Sequence, residues 1–355
     1  MINRRQFARG LAATAAVTTL AGCASGPAAS PPSGGDGGGG GGGGDDRSVG
    51  LRAGSGVHTS LGPITQVDAG VLNVGYAEFG PATGPPVVLL HGWPYDACSY
   101  IDVGPLLAAS GYRVVVPYLR GYGPTTFRSP DTMRNGQQSA VALDILALMD
   151  ALKIDKAVLG GYDWGARTVG VIAALWPERC KALVSVSGYL ITNLQANQQP
   201  LAPAAEYGWW YQYYFATERG VLGYRRNVHD FNRLIWKIAS PKWTFDDATY
   251  ARSAASFDNA DQVDVVIHNY RWRLGLAPGE PRYDALEQKL AQSPTISVPT
   301  ITIASDFDGV AADGSSYRGK FTGRYDHRFF PGIGHNVPQE APEAFARAVV
   351  DADHL

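Results

Sequence analysis

The segment Gly161-Tyr162-Asp163-Trp164-Gly165 puts a carboxylate at the centre of a turn flanked by glycines. The run Ala157 to Gly160 before it reads as a strand and the stretch from Trp164 as a helix, so Asp163 falls on a sharp strand-to-helix turn. Such a turn lifts its central side chain into the mouth of a sheet and needs small neighbours, because bulky ones would clash. A hydroxyl in that place suits attack on carbonyl carbons. A carboxylate can instead displace a leaving group at a saturated carbon, which leaves an ester between protein and substrate for water to cleave.

Cleaving that ester passes through a tetrahedral oxyanion on the Asp163 side chain, and backbone N–H groups must face it from the helix start and a neighbouring loop. The donors expected are the N–H groups of Trp164 and of Trp93, the latter in His91-Gly92-Trp93-Pro94 after another strand-like run. The water needs a general base, and His335 in Gly332-Ile333-Gly334-His335 follows the last strand-like run. Its orienting acid should follow the preceding strand, where Asp306 and Asp308 both stand. The order Ser305-Asp306-Phe307-Asp308-Gly309 favours Asp308, with Asp306 left open.

These groups require a sheet that gathers them. Strand-like runs occur at Ile64 to Val67, Val71 to Glu78, Val87 to His91, Arg113 to Pro117, Ala157 to Gly161 and Leu183 to Ser187, the first two as a hairpin. Val141, Ile145, Leu148 and Leu152 recur at helical spacing, and Trp164 to Leu175 continues as an apolar helix. Alternating strand and helix predicts an α/β fold with a mostly parallel sheet flanked by helices. The alternation stops after Ser187. Residues 189–290 are aromatic-rich and helical in pattern, which predicts a helical cap inserted between core segments 47–188 and 291–355, the latter with strands at Thr300 to Ala304 and His327 to Pro331 and a final helix around Ala341 to Val350.

With His-Gly-x-Pro, Gly-x-Asp-Trp-Gly and the order Asp163, Asp308, His335 in place, the chain from about residue 60 resembles the epoxide hydrolase and haloalkane dehalogenase branch of the α/β-hydrolases. The resemblance implies the α/β-hydrolase fold and, for an epoxide hydrolase, two cap tyrosines that protonate the epoxide oxygen. Tyr211-Gln212-Tyr213-Tyr214-Phe215 is similar to the first tyrosine's surroundings and nominates Tyr211, and Asn269-Tyr270-Arg271 nominates Tyr270. His91, Trp209 and Trp210 are expected to contact an apolar substrate. The rival reading is a dehalogenase. Haloalkane dehalogenases carry a halide-binding Asn or Glu where Trp93 stands, although Trp164 would supply their other halide contact. Haloacetate dehalogenases share Arg167 but need a second Arg at Trp164 and a His-Trp at Tyr211-Gln212. Arg167 is otherwise a structural residue pairing with an acid. A third class, a non-catalytic ligand-binding lipoprotein, is opposed by the intact nucleophile, base and acid set.

Lys and Arg number 30 against 32 Asp and Glu, a net charge of −2, so there is no basic field to hold nucleic acid. The three cysteines, Cys23, Cys98 and Cys180, are too few for a disulfide framework, and no Cys/His spacing suggests a metal. Whether Cys98 and Cys180 pair is open, as is the oligomeric state, and no cofactor is expected. Residues 1–23 resemble a twin-arginine lipoprotein signal: Arg4-Arg5, an apolar Leu11 to Leu20 run, and Leu20-Ala21-Gly22-Cys23 as a lipidation site. Residues 24–46, with eight consecutive glycines from Gly37 to Gly44, read as a tether of roughly 25 Å r.m.s. span. The expectation is an exported lipoprotein anchored to a membrane facing the periplasm or cell exterior. Cys23→Ser should abolish lipid labelling and release the chain from membranes on fractionation; unchanged membrane association would remove the anchor.

Overall fold

The computed structural model describes residues 58–355. The signal and tether expected over residues 1–46 lie outside these. The strands are β1 Ile64–Ala69, β2 Leu72–Phe79, β3 Pro86–Leu90, β4 Arg113–Pro117, β5 Thr126–Phe127, β6 Ala157–Gly161, β7 Cys180–Val186, β8 Thr300–Ser305 and β9 Tyr325–Phe330. They form one sheet in the order β1-β2-β4-β3-β6-β7-β8-β9, with the short β5 pairing β2 at its side. β2 runs antiparallel to β1 and β4, and every pair from β4 to β9 is parallel.

The burial pattern follows the pairing. β6 and β8 are buried at every residue, and β3 at all but its first, as strands covered on both faces must be. The edge strand β1 is mostly exposed. Gly160 and Gly161 show the two faces: a side chain at Gly160 would meet Leu89 and Phe345, and one at Gly161 would meet the backbone of Gly165. Phe345 belongs to α12 Pro342–His354, which packs with α1 Val103–Ala109, whereas Gly165 belongs to α3 Trp164–Leu175, which packs with α2 Gln138–Ala151. Helices therefore cover both faces.

Between β7 and β8 come α4 Pro203–Gly208, α5 Trp210–Ala216, α6 Glu218–Arg226, α7 Val228–Ala239, α8 Asp247–Ala254, α9 Gln262–Arg273 and α10 Asp284–Ala291; the short α11 Val337–Glu340 follows β9. None of the described helices is long and apolar enough to cross a membrane. Cys98 and Cys180 are both buried free thiols, which answers the pairing left open. The strand expected to reach His91 ends at Leu90, and the one expected from Leu183 starts at Cys180. Neither α1 nor β5 was foreseen: α1 carries a Gly-Pro in its first turn and β5 is two residues long, so neither has a period to read.

The chain order reverses between β3 and β6, which lie side by side with Leu90 opposite Gly161. Loops leaving the carboxyl ends of such a pair diverge and open a crevice, the place where open α/β sheets bind ligands. The Trp93 loop and the Asp163 turn both leave from here. Their approach is so close that a methyl group on Gly165 would be driven into the Leu90 carbonyl oxygen. Gly165→Ala should therefore destabilise the fold by about 3 kcal/mol, read as a lowered urea midpoint; an unchanged midpoint would contradict this packing.

Candidate active site

Asp163 stands at the start of α3 with φ 51° and ψ −121°, a conformation that L side chains rarely adopt. The glycines around it make that possible. A side chain on Gly92 would overlap Asp163 itself, and one on Gly161 would strike Gly165. The Trp93 N–H donates to Asp163 Oδ1 at 2.8 Å, and the Trp164 N–H also bonds the carboxylate. Both donors expected from the sequence thus face Asp163. His335 Nε2 lies 3.6 Å from the other oxygen, Oδ2. Burial pushes the Asp163 carboxyl up, but the neighbouring His335, the Arg167 charge and the Trp164 N–H outweigh it and hold the group below its ordinary value.

His335 is carried by the loop between β9 and α11, and the buried carboxylate of Glu340 shapes that loop. Glu340 accepts from the N–H groups of Gly334 and Asn336 at 2.7 and 3.0 Å and from the Ser240 hydroxyl at 2.6 Å. Ser240 Oγ in turn accepts from the His335 N–H at 2.9 Å. Burial raises the Glu340 pKa against these bonds and the His335 charge. The Phe307 ring lies 4.3 Å from the imidazole.

The two candidate acids separate clearly. Asp306 pairs with Lys242 Nζ at 2.5 Å near the surface. Asp308 is buried, accepts from the Ser305 N–H at 2.8 Å and from the Ser187 hydroxyl, and interacts with His335 through charge. Burial raises its pKa despite these partners. His335 Nδ1 is buried and makes no hydrogen bond among the described residues, so the tie from Asp308 is electrostatic in this geometry.

Tyr211 on α5 and Tyr270 on α9 meet edge to face with their rings 5.4 Å apart. Both pack on Trp93, at 5.0 and 5.2 Å. Burial, followed for Tyr211 by the Asp163 charge and for Tyr270 by Tyr211 and then Asp163, raises both phenol pKa values well above the ordinary one. A cavity in front of Asp163 is lined by Tyr211, Trp209, Trp210, Trp93 and His335, together with Ile235, Ile238 and Ala239 of α7. The α7 residues were missed, although Phe231, Ile235, Ile238 and Ala239 recur at helical spacing and that signal was there to find.

His91 corrects an expectation. It is fully buried below the Trp93 loop and does not line the cavity: Nε2 accepts from the Leu119 N–H at 3.1 Å, and Nδ1 lies 3.2 Å from the Gly92 carbonyl. It holds the loop, not substrate. Arg167 donates to the Leu190 carbonyl at 2.6 Å and the Thr192 hydroxyl at 2.9 Å, tying α3 to the segment after β7, and its charge also acts on Asp163.

A strained acid between two backbone donors, a facing histidine and a doubly covered parallel sheet define an α/β-hydrolase. Residues 85–342 match the family model described as alpha/beta hydrolase fold, and the chain belongs to that family. It is 59% identical, with a TM-score of 0.81, to a Klebsiella pneumoniae subsp. pneumoniae MGH 78578 structure provisionally described as an epoxide hydrolase; the match covers 82% of this chain and 97% of that one. Epoxide hydrolase A of Mycobacterium tuberculosis is 26% identical over 312 residues, 80% of this chain and 95% of that protein. A haloalkane dehalogenase of Mycobacterium marinum is 33% identical over 133 residues, 36% of this chain and 43% of that protein.

Burial lowers the His91 pKa to about 4 against an ordinary 6.5. Between these values the unfolded chain binds more protons, so this contribution to stability is complete above about 6.5 and is lost as pH falls through about 4. Asp96, raised to about 6 by burial, acts in the opposite direction. The His91 share is therefore read by difference: the urea midpoint of the wild type should fall more steeply than that of His91→Gln between pH 6.5 and 4, and parallel curves would contradict the neutral, buried assignment.

Proposed function

We propose that the chain hydrolyses an apolar epoxide to a diol through an ester on Asp163. The observation that carries this reading is the pair Tyr211 and Tyr270, packed edge to face on one another and both against Trp93, with Tyr211 lining the cavity in front of Asp163. The relatives described as epoxide hydrolases support it. In this reading Asp163 Oδ2 attacks a ring carbon, the carbon–oxygen bond breaks, and a tyrosine O–H gives its proton to the leaving alkoxide. Water, losing a proton to His335, then attacks the Asp163 Cγ. The oxyanion that forms is held by the Trp93 and Trp164 N–H groups; its collapse breaks the ester carbon–oxygen bond, the departing oxygen takes the proton from the His335 imidazolium to complete the diol, and the proton left on the Asp163 carboxyl returns to the tyrosine phenolate, which restores the carboxylate. Asp308 stabilises the imidazolium by charge.

Dehalogenation is the second reading, and one observation favours it: the Trp164 indole N–H is buried without a hydrogen-bond partner among the described residues. Against it, the Trp93 side chain offers no free polar group, because its indole N–H donates to the Tyr224 hydroxyl at 2.9 Å. The N-terminal lipid anchor, the export route and the membrane-facing location form a further part of the proposal, resting on the signal-like residues 1–23.

Full-length wild type should convert styrene oxide to its diol, Tyr211→Phe should lower kcat about a hundredfold, and Asp163→Asn should be inactive. His335→Gln should accumulate a covalent adduct of substrate mass on Asp163. Halide release from 1-bromobutane that survives Tyr211→Phe would move the assignment to a dehalogenase, and no adduct with either substrate class would favour a binding protein.

A further inference from the structure

Between Lys181 and Glu218 the only charged residue is Glu206. Its carboxylate is engaged locally: Oε1 accepts from the Leu201 N–H at 2.6 Å and Oε2 is buried, which withdraws part of the charge from the surface. Pro200, Leu201, Ala202, Pro203 and Ala204 are all exposed, and Tyr207 on α4 is 73% exposed. This uncharged run leads to the mouth of the catalytic cavity, because Gly208, Trp209 and Trp210, directly after Tyr207, line that cavity. α7 supplies a second part of the rim. Ile238 is both exposed and part of the cavity lining, and Leu234, one turn earlier on the same face, is 47% exposed. Lys237, next to Ile238 in the chain, is exposed as well.

An exposed apolar rim around a concave site marks a surface made to be covered. We infer that this rim docks on a lipid bilayer, with the mouth of the catalytic cavity turned to the membrane so that an apolar epoxide dissolved there enters without crossing water. The residue types fit a membrane interface. The Tyr207 side chain carries an apolar ring with a polar tip, suited to the headgroup level, Leu234 and Ile238 are apolar, and the Lys237 ammonium is attracted to anionic headgroups. A protein partner seated on this rim would seal the entrance against substrate, whereas a bilayer covers the rim and is also the solvent from which an apolar substrate arrives. Cys23, the proposed lipidation site, precedes His58 by 35 residues, a length that reaches at most about 120 Å even when fully extended. An anchored body therefore meets the bilayer at high effective concentration, and a rim of modest area is enough to orient it. The inference rests on the anchor and the epoxide reading proposed above and adds the orientation of the body and the source of its substrate.

The test uses the full-length chain on vesicles of phosphatidylcholine and phosphatidylglycerol. An environment-sensitive fluorophore is coupled through Tyr207→Cys or Leu234→Cys and, as the control, through Phe329→Cys, a site on β9 that is 45% exposed. Cys98 and Cys180 are buried, and the unsubstituted chain supplies the blank. On vesicles the labels at positions 207 and 234 should shift to the blue and be quenched by nitroxide-bearing lipids, and the label at 329 should do neither. Tyr207→Ser combined with Leu234→Ser should raise KM for a long-chain epoxide carried in the vesicles about tenfold, the effect of apolar area no longer buried, while hydrolysis of styrene oxide dissolved in water stays unchanged. No shift at 207 and 234, or an equal shift at 329, would overturn the docking, whether or not the chain floats with the vesicles. A shift already present without vesicles would assign the rim to a protein cover, a second copy if it grows with concentration, and would overturn it too. Labels that enter the bilayer in a chain that turns over no epoxide would keep the orientation and overturn the epoxide reading.

Discussion

A hydrogen bond of 2.8 Å from the Trp93 N–H to Asp163 Oδ1 joins two loops that leave neighbouring strands, and it forms only if their backbones nearly touch. That closeness dictates Gly92, Gly161 and Gly165, since a side chain at any of them would strike Asp163, the turn or β3. It also fixes the strained φ of 51° at Asp163, a cost that the surrounding strand and helix sustain. His91 and Arg167 serve the same constraint from below. The histidine pins the Trp93 loop to the Leu119 N–H, and the arginine anchors α3 to the residues after β7. A buried cation near Asp163 also helps keep the carboxyl ionised in a place where burial alone would protonate it.

The same tryptophan that supplies the N–H organises the helices above the sheet. Its ring packs against Tyr211, Phe215, Tyr224, Phe231 and Tyr270, which come from α5, α6, α7 and α9, and its indole N–H bonds Tyr224. Trp236 of α7 donates to the Pro94 carbonyl at 2.7 Å, and Ser256 donates to Asp96 Oδ2 at 2.6 Å. The loop after β3 therefore serves as a floor for the insert and a wall for Asp163 at once. Each aromatic contact of this kind is worth roughly 1 kcal/mol beyond the area it buries, so the placement of the tyrosines over the carboxylate rests on several modest interactions. The aromatic density between residues 209 and 236 is mostly this packing.

What could be read from the sequence was what local spacing determines. Asp163 and its glycines announce themselves because a strand-to-helix turn with a central acid has few other uses, and His335 follows from its place after the last strand. Local order favours Asp308 and leaves Asp306 open; in three dimensions Lys242, from the segment after α7, pairs with Asp306, and Asp308 is buried and interacts with His335 through charge. His91 was misread because a histidine next to a catalytic loop looks the same in sequence whether it faces the cavity or the core; the Leu119 N–H that engages it comes from 28 residues away. Glu340 gave no signal at all. Its role depends on the His335 loop folding back on it and on Ser240 arriving from the end of α7.

The protonation pattern around Asp163 shows why burial serves both halves of the proposed chemistry. Removing water raises a phenol's pKa, and the neighbouring carboxylate raises it further, so Tyr211 and Tyr270 stay protonated across the neutral range. Weak acidity is no handicap to them, because an alkoxide leaving from an epoxide is a far stronger base than a phenolate and takes the proton readily. The same burial would neutralise Asp163 if it acted alone. His335, Arg167 and the backbone N–H of Trp164 reverse the sign there and leave a carboxylate able to attack. One enclosure thus holds a nucleophile ionised and two acids protonated, the separation of pKa values that assigns distinct roles in a shared site.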